Sequence, residues 1–325
     1  MKIFVAGATG AIGRRLIPML IQRGHQVTAA TRSSGKMDSL RAAGAKPVLL
    51  DALDRKAVLS VVPPFAPDVI VHEMTSIGRM KNFKNFDADF AVTNRLRTEG
   101  TEHLLAAAQA AGASRFLAQS YTGWPNERSG GRVKSETDPL DRNPPKAMRQ
   151  SFAAIQKLEH MVTEAPGLTG IALRYGSFYG PGTSIAPGGD IVEALQKRKL
   201  PIIGGGAGVW SWIHIDDAAS ATLLAIENGP AGIYNIVDDD PAEVSRWLPA
   251  LAQAIGAKPP YRVPAWLGAL LIGEAGVSMM TKVRGSSNAK ARRLLGWQPR
   301  YASWRDGFRH GLTAPLSAEE PIHRA

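Results

Sequence analysis

The sequence contains no cysteine in its 325 residues, which excludes disulfide bonds, thiolate nucleophiles and metal–thiolate sites. Long hydrophobic runs are also missing. The most apolar late stretch, residues 263–280, is interrupted by Pro264, Glu274 and several glycines, so we expect no membrane-spanning helix. The first residues form an apolar strand-like segment and show no signal-peptide pattern. These absences predict a cytoplasmic protein with no membrane partner and no metal site.

Acidic residues are scarce relative to basic ones. The chain has 28 Asp and Glu against 39 Lys and Arg, a formal net charge of +11. Residues 281–310 hold eight Lys or Arg and a single acid, Asp306. Such a patch could attract a nucleic acid or an anionic substrate. No basic run is interleaved with aromatic residues, however, so we interpret the patch as a solvated helix surface and expect no nucleic-acid partner.

Apolar strand-like runs alternate with segments of helical periodicity through the first half of the chain. Short connections between them predict an α/β fold with a doubly wound parallel sheet that is covered by helices on both faces. The predicted strands are Lys2–Ala6, Gln26–Ala30, Lys46–Leu50, Asp68–Val71, Arg115–Gln119 and Gly170–Leu173. The predicted helices are Gly13–Arg23, Lys36–Ala43, Leu53–Val61, Thr93–Ala111 and Ala147–Glu164.

A glycine pattern follows the first strand directly. Gly7 permits a tight turn, Gly10 lets the main chain approach a pyrophosphate, and Gly13 lets the next helix pack closely on the sheet. The amino-terminal amides and dipole of that helix form an anion site. With an apolar strand before it and an amphipathic helix after it, the pattern predicts a Rossmann-type fold that binds a dinucleotide.

The end of the second strand indicates which dinucleotide is bound. Enzymes specific for NAD usually place Asp or Glu there to bind the ribose 2′-hydroxyl, but here no carboxylate occurs before Asp38. Arg32 and Ser33 stand at this point, and Arg14 lies in the glycine turn. Because guanidinium and hydroxyl groups suit a 2′-phosphate, the sequence favours NADP over NAD.

The pattern changes after Tyr175, where Gly- and Pro-rich loops and then several helices follow. We therefore predict a dinucleotide-binding domain over residues 1–175, to which residues 209–236 return. Residues 176–208 and 237–313 form a smaller C-terminal substrate-binding lobe, and residues 314–325 form a flexible tail.

Several further motifs occur in a characteristic order: GATGAIG at 7–13, RYGSFYGPG at 174–182, WIHIDD at 212–217, YNI at 234–236 and LGWQP at 295–299. Together they resemble the extended short-chain dehydrogenase/reductase family, of the NAD-dependent epimerase/dehydratase type, over almost the whole chain. The resemblance implies a homodimer formed through the fourth and fifth helices. It also implies that Asp51 bonds the adenine and that residues 176–178 lie along the nicotinamide. The residues expected to contact the cofactor are Gly7, Thr9, Gly10, Ala11, Ile12, Gly13, Arg14, Arg32, Ser33, Asp51, Ala52, Leu53, His72, Ser120, Tyr175, Gly176, Ser177 and Phe178.

The catalytic motif of that family is missing. Its members use a Tyr-x-x-x-Lys pair on one helix face, in which tyrosine is the acid/base and lysine lowers its pKa. None of the six tyrosines in this chain has a lysine four residues later. On the corresponding helix the two positions hold either Ser151 and Ile155, or Phe152 and Gln156. The family's asparagine on the fourth helix aligns with Arg97; Asn94, one turn earlier, is a possible replacement for it.

Other parts of the family's site are present. Ser120 falls where the family has its catalytic serine or threonine, and the next residue, Tyr121, is our candidate for a relocated proton donor. In nucleotide-sugar members an Arg-Asp pair precedes the histidine motif, whereas this chain has Trp210-Ser211. Tryptophan does not bind a diphosphate but can line an apolar pocket. The residues expected to contact the substrate are Glu73, Thr122, Trp124, Tyr179, Trp210 and Trp212.

These observations predict an NADP-dependent oxidoreductase that acts on a small or apolar carbonyl or hydroxyl compound with a non-standard proton donor. Two alternatives stay open. In the first, the protein is an epimerase, isomerase or lyase that retains its NAD(P). In the second, it is a non-catalytic relative that senses NADP or binds RNA.

Overall fold

A computed structural model describes residues 1–77 and 83–313, and the predicted tail at 314–325 lies outside these ranges. Its centre is a seven-stranded parallel sheet with the spatial order β7-β6-β5-β4-β1-β2-β3. The strands are Lys2–Ala6 (β1), Gln26–Thr31 (β2), Lys46–Leu49 (β3), Val69–His72 (β4), Arg115–Tyr121 (β5), Thr169–Tyr175 (β6) and Gly232–Ile236 (β7). The predicted α/β fold class is confirmed, and the six predicted strands match β1 to β6 within two residues at each end.

The helices connect and cover these strands. In the described ranges they are Gly13–Gln22 (α1), Met37–Ala42 (α2), Arg55–Val61 (α3), Phe86–Asp89 (α4), Ala91–Arg95 (α5), Thr101–Ala111 (α6), Arg149–Thr163 (α7), Asp190–Gln196 (α8), Ile215–Asn228 (α9), Val244–Ala254 (α10), Ala265–Thr281 (α11), Ala289–Leu295 (α12) and Trp304–His310 (α13). A single turn of π-helix, Leu96–Gly100, joins α5 to α6 within the predicted helix at 93–111. Part of α11 departs from helical geometry at Gly273, where φ is 73°.

Alternate side chains of each strand enter two different cores. Ile3 and Val5 of β1 pack with α1 and α9, whereas Phe4 and Ala6 pack with α3, α6 and α7. Burial on both faces explains why the strands are almost wholly apolar. The strand order reverses at β1, which lies between β2 and β4. In open parallel sheets, ligands bind at the carboxyl ends of the strands beside such a reversal.

Besides the two cores of the sheet, a separate apolar cluster, the tryptophan cluster, lies beyond the sheet. Trp212, Trp247, Trp304 and Phe308 pack with α8 and α10 and with two short strands, Ile202–Ile203 and Arg262–Val263. Another short strand, Trp212–His214, pairs with Ser177–Tyr179, whereas β7 joins the main sheet beside β6. The domain boundaries predicted from the sequence stay a prediction. Across the described ranges, no helix is both long enough and apolar enough to cross a membrane.

Contact between β6 and α7 leaves no room for a side chain at Gly170. A Cβ at this position would lie 1.7 Å from the carbonyl oxygen of Val162 in α7. We expect Gly170→Ala to lower Tm by roughly 2–6 °C, because the helix must move away from a fully packed sheet. Thermal unfolding by circular dichroism measures this. Gly205→Ala is the matched control, since its Cβ would meet no atom within 4 Å; equal Tm values for the two variants would contradict the prediction.

Candidate functional site

The glycine turn lies at the carboxyl end of β1. Gly7 has a φ of 95°, and a Cβ there would lie 2.5 Å from the carbonyl carbon of Glu73. A Cβ at Gly13 would lie 2.5 Å from the oxygen of Gly7. Side chains are therefore excluded at both positions, and the turn brings bare backbone to the start of α1. Gly10 is exposed, and Thr9 and Ala11 are half-buried, whereas Ile12 is buried beneath the turn. This cradle fits the pyrophosphate of a dinucleotide.

Cationic and hydroxyl side chains surround the neighbouring end of β2. Arg32 and Ser33 are exposed there, and so is Arg14 in the first turn of α1. Within residues 1–77 and 83–313, neither Arg14 nor Arg32 makes an ion pair. The first carboxylate after β2, Asp38, pairs with Arg41. The arrangement fits a 2′-phosphate on the adenosine ribose.

Residues 51–53 follow β3 at the same edge of the sheet. Asp51 is exposed, and its Oδ1 accepts a hydrogen bond from the Leu53 amide at 3.0 Å. Ala52 is buried, and its carbonyl oxygen lies 2.8 Å from Nδ1 of His103. These contacts give the loop a fixed shape next to the predicted adenine position.

His72 ends β4 and is buried. Its Nδ1 accepts from the Met74 amide at 3.1 Å, so its Nε2 carries the hydrogen that is donated to the Leu96 carbonyl at 3.1 Å. Burial, opposed by the hydrogen bond to Leu96 and assisted by the nearby Arg97 charge, lowers the pKa of His72 to about 4. A neutral imidazole therefore connects β4 to the turn of π-helix at Leu96–Gly100.

Ser120 and Glu159 form a buried hydrogen-bond network at the end of β5. The Ser120 hydroxyl donates to Glu159 Oε1 at 2.6 Å. Arg174 of β6 donates to both oxygens of the same carboxylate, at 2.7 and 2.6 Å. One carboxylate from α7 thus joins two adjacent strands near their carboxyl ends.

Tyr121 is the last residue of β5, and its hydroxyl lies 2.8 Å from the hydroxyl of Ser177. Burial raises the pKa of Tyr121, whereas the hydrogen bond with Ser177 and the charge of Arg97 lower it. The two hydroxyls line one pocket together. The full lining comprises Tyr121, Thr122, Gly123, Trp124, Ser177, Val209, Trp210, Ser211, Met279 and Val283.

The pocket contains some but not all of the predicted substrate contacts. Trp124 stacks on Tyr121 with ring centroids 6.1 Å apart, and the indole Nε1 of Trp210 donates to the Met279 carbonyl at 2.9 Å. Thr122 lies at the pocket too, but its hydroxyl is 2.6 Å from that of Ser286. Tyr179 and Trp212 do not line the pocket and are buried in the tryptophan cluster.

The nicotinamide end of the predicted cofactor site is shaped by close backbone packing. A Cβ at Gly176 would lie 2.7 Å from the Ser211 carbonyl oxygen. Half-buried Phe178 packs on Tyr175, with ring centroids 5.5 Å apart. Of the predicted cofactor residues at 175–178, Ser177 lines the pocket, whereas Tyr175 is buried.

Helix α7 brings no proton donor to this pocket from the two positions of the family's catalytic motif. Ser151 donates to Asp87 at 2.7 Å and accepts from Asn94 at 3.0 Å. Ile155 is fully buried among aromatic residues. In the other register Phe152 is also buried, and Gln156 is exposed. Asn94 is thus engaged with Ser151, while Arg97 of the π turn is buried beside Tyr121 and Glu159.

Three residues of this site have contacts that the sequence did not predict. Glu159 was given no role, and Ser177 was predicted to contact the cofactor but not Tyr121. Arg97 was identified only as a departure from the family's asparagine. A charged residue at a position where the family has a neutral one was the signal that could have found it.

Glu73 is buried rather than directed into the pocket. Its Oε1 accepts a hydrogen bond from the Tyr175 hydroxyl at 2.9 Å. That Tyr175 hydroxyl also lies 2.6 Å from the hydroxyl of Thr222. Its Oε2 has no hydrogen-bond partner within the described residues. Burial raises the pKa of Glu73 from 4.5 to about 8, although the hydrogen bond from Tyr175 opposes the rise. Glu73 is therefore protonated in the folded protein at neutral pH.

This raised pKa predicts a pH-dependent stability. As pH rises from 4.5 towards about 8, Glu73 ionises in the unfolded chain but not in the folded one, so the free energy of unfolding falls. Glu73→Gln cannot ionise. We expect its Tm relative to the parent protein to increase between about pH 5 and about pH 8. The exposed Glu102→Gln is the control, and a Tm difference for Glu73→Gln that does not change with pH would contradict this prediction.

Comparison with known proteins agrees with the fold and the glycine turn. The sequence model of the NAD dependent epimerase/dehydratase family matches residues 3–237. The "3-diazoavenalumate denitrifying reductase" of a Streptomyces species is 42% identical over 310 residues, which cover 95% of this chain and 99% of that protein. A "4-hydroxy-2-methyl-3-oxo-4-farnesyl-3,4-dihydroquinoline-1-oxide ketoreductase" of Stigmatella aurantiaca is 27% identical over 298 residues, covering 90% and 85% of the two chains.

A solved structure shows the same fold at lower sequence identity. The crystal structure of a human epimerase family protein with NADPH superposes with a TM-score of 0.75 at 19% identity, and the match covers 96% of this chain and 99% of that one. The predicted resemblance is confirmed, and so is the prediction of an NAD(P)-dependent oxidoreductase or epimerase. This chain belongs to the NAD-dependent epimerase/dehydratase family.

Proposed function

We propose that this protein is an NADP-dependent reductase that transfers hydride to a small aromatic or apolar acceptor. The observation that carries the proposal is the Tyr121–Ser177 hydroxyl pair at the ends of β5 and β6. The pair lies in a narrow pocket whose walls include Trp124, Trp210 and Met279.

The preference for NADP follows from the charges around the adenosine ribose. Arg14, Arg32 and Ser33 are exposed at the glycine turn and the end of β2, where a carboxylate would otherwise select the 2′-hydroxyl of NAD. Arg32 can bind a phosphate with two parallel N–H groups. A 2′-phosphate therefore has both the cations and the hydroxyl that it requires.

The substrate class follows from the pocket walls. Among the described residues that line it there is no Lys or Arg, so the pocket wall offers no guanidinium or ammonium group that could contact a diphosphate. Trp210 and Ser211 occupy the Arg-Asp positions of nucleotide-sugar enzymes, and both are engaged in hydrogen bonds, to Met279 and to Ser286. Aromatic and thioether side chains instead favour a flat aromatic ring.

For a carbonyl acceptor, the residues of the pocket supply the proton. NADPH, when bound, supplies a hydride to the carbonyl carbon. The C=O π electrons move to oxygen, and the Tyr121 hydroxyl gives that oxygen its proton while Ser177 holds the phenol oxygen by a hydrogen bond. Solvent then returns one proton to Tyr121, so the sum is one hydride and one proton added to C=O.

A diazo compound is the second candidate substrate. It is favoured by the absence of a proton donor at Ser151 or Ile155, together with the 42% identity to a protein named a diazoavenalumate denitrifying reductase. An aryl diazonium group accepts hydride at its terminal nitrogen to give Ar–N=N–H. This species loses N₂ as its N–H proton moves to the ring carbon. The sum consumes no external proton, so a general acid is dispensable.

Cofactor preference is tested at Arg32. We expect Arg32→Ala to weaken NADPH binding by about tenfold or more, because one charge-assisted contact to the 2′-phosphate is lost, and to leave NADH binding unchanged. Fluorescence titration with each cofactor measures both dissociation constants. Arg41→Ala, an exposed arginine paired with Asp38, is the control. Equal NADPH affinity in Arg32→Ala and the parent protein would show that Arg32 does not read the phosphate.

The proton donor is tested with two acceptors. With 4-nitrobenzaldehyde, we expect Tyr121→Phe to slow single-turnover loss of NADPH absorbance by about tenfold or more, because the carbonyl oxygen loses its acid. With a 4-carboxybenzenediazonium salt, the same variant is expected to react at nearly the parent rate after subtraction of the enzyme-free reaction.

Tyr261→Phe serves as the control in both assays, since Tyr261 is exposed and lies outside the pocket. An unchanged aldehyde rate in Tyr121→Phe would exclude Tyr121 as the proton donor. Failure of the parent protein to oxidise NADPH with either acceptor would exclude the proposed reductase activity on these two classes of compound.

A further inference from the structure

Arg97 is a buried cation with unsatisfied hydrogen-bond donors. It lies in the turn of π-helix at Leu96–Gly100 and is 3% exposed. Its Nε and Nη1 have no hydrogen-bond partner in the part of the chain that the structure describes. Burying a guanidinium without partners is unfavourable, because both its charge and its N–H groups lose water. A position that retains such a group calls for a ligand or a reaction that uses it.

The surrounding charges leave this cation uncompensated. Glu159 is near Arg97, but its two oxygens already accept hydrogen bonds from Arg174 and Ser120. One carboxylate therefore faces two guanidinium groups. His72 on β4 is neutral, because burial lowers its pKa to about 4, and Glu73 is protonated at neutral pH. The centre thus carries one positive charge in excess.

We propose that Arg97 is the positioning residue for proton transfer at Tyr121, stabilising the negative charge that forms when the phenol gives up its proton. The inference rests on the proposed function, in which Tyr121 is the proton donor. Arg97 would take the electrostatic role for which α7 offers no lysine, although it comes from a different element, the π turn.

Helix α7 supports this assignment because it presents no cation to the site. Ile155 fills the position of a catalytic lysine with a fully buried aliphatic side chain, and Lys157 is exposed on another face. The charged or titratable groups that interact with Arg97 are Tyr121, Glu159 from α7 and His72 from β4, and Glu159 in turn is paired with Arg174 from β6. Because Arg174 is held by Glu159, Arg97 is the cation that can respond to a change at Tyr121.

The geometry of the π turn explains how an arginine reaches this place. The Leu96 carbonyl accepts the hydrogen bond from His72 at 3.1 Å, which ties the turn to β4 at the edge of the site. Widening one helical turn changes the direction of the residues that follow it. Arg95, two residues earlier, is exposed and pairs with Glu99, so the two arginines have opposite environments.

The experiment compares Arg97→Met, Arg97→Lys and the control Arg95→Gln. With 4-nitrobenzaldehyde and NADPH, we expect Arg97→Met to lower the hydride-transfer rate by about tenfold or more and to move the alkaline limb of the pH–rate profile upward, because loss of a cation raises the pKa of Tyr121. Arg97→Lys is expected to restore the position of that limb. Arg95→Gln is expected to behave like the parent protein.

Coupling between the two residues is tested by a double-mutant cycle. If Arg97 acts through Tyr121, Arg97→Met should have little further effect on the rate in the Tyr121→Phe background. Fully additive effects of the two substitutions would overturn the proposal. Arg97→Met should also keep a Tm equal to or above that of the parent, since it removes an unpaired buried charge; a large fall in Tm would indicate a structural role instead.

A measurement that needs no catalysis separates this inference from the proposed function. Global 3-fluorotyrosine labelling lowers the phenol pKa, and Tyr121→Phe identifies the ¹⁹F resonance of Tyr121. We expect its titration midpoint to rise by about one pH unit or more in Arg97→Met, and not in Arg95→Gln. An unchanged midpoint overturns the role of Arg97 even if the enzyme is active. A shifted midpoint in a protein that does not reduce the aldehyde supports the coupling and rejects only the proposed activity.

Discussion

The carboxylate of Glu159 is the interaction on which the site depends. It accepts hydrogen bonds from Ser120 on β5 and from two nitrogens of Arg174 on β6, and all three side chains are buried. Removing one partner from such a pair typically costs about 3–5 kcal/mol, because the other charge stays buried and unpaired. The relative positions of α7, β5 and β6 are therefore fixed next to the pocket. Tyr121 is the residue of β5 that directly follows Ser120, which this carboxylate holds.

The buried hydrogen bonds of Glu159 hold the helix of the family's catalytic motif in place, although the residues of that motif are absent. The glutamate, the serine at the end of β5 and the arginine of β6 keep the helix in place, although the helix carries no Tyr/Lys pair. Asp87 binds Ser151, and the aromatic cluster around Phe86 buries Ile155, so both positions make structural contacts in this chain. The polar groups that stay in the pocket come from strand ends, which are held more rigidly than a loop would be.

The sequence was sufficient to predict six of the seven strands of the main sheet, their parallel arrangement and the dinucleotide cradle, because these depend on local patterns. Apolar runs mark buried strands, and Gly7 and Gly13 stand where a Cβ would collide with backbone atoms. Contacts between distant segments were less predictable. Tyr121 and Ser177 are 56 residues apart, and Glu73 meets Tyr175 across 102 residues. A turn of π-helix has no distinct periodicity over five residues, so the burial of Arg97 could not be read from spacing.

The two candidate substrate classes make different demands on the same pocket. A carbonyl oxygen gains negative charge as hydride arrives, and this charge is stabilised by a proton from Tyr121 and by a nearby cation. A diazonium group loses positive charge in the same step, and an excess buried cation repels it in the ground state. A diazo compound whose ring also carries an anionic oxygen has a net charge of zero. It avoids that repulsion, because the oxygen is attracted to the guanidinium. The positive charge at the site therefore favours acceptors that carry or develop negative charge on oxygen, whichever group receives the hydride.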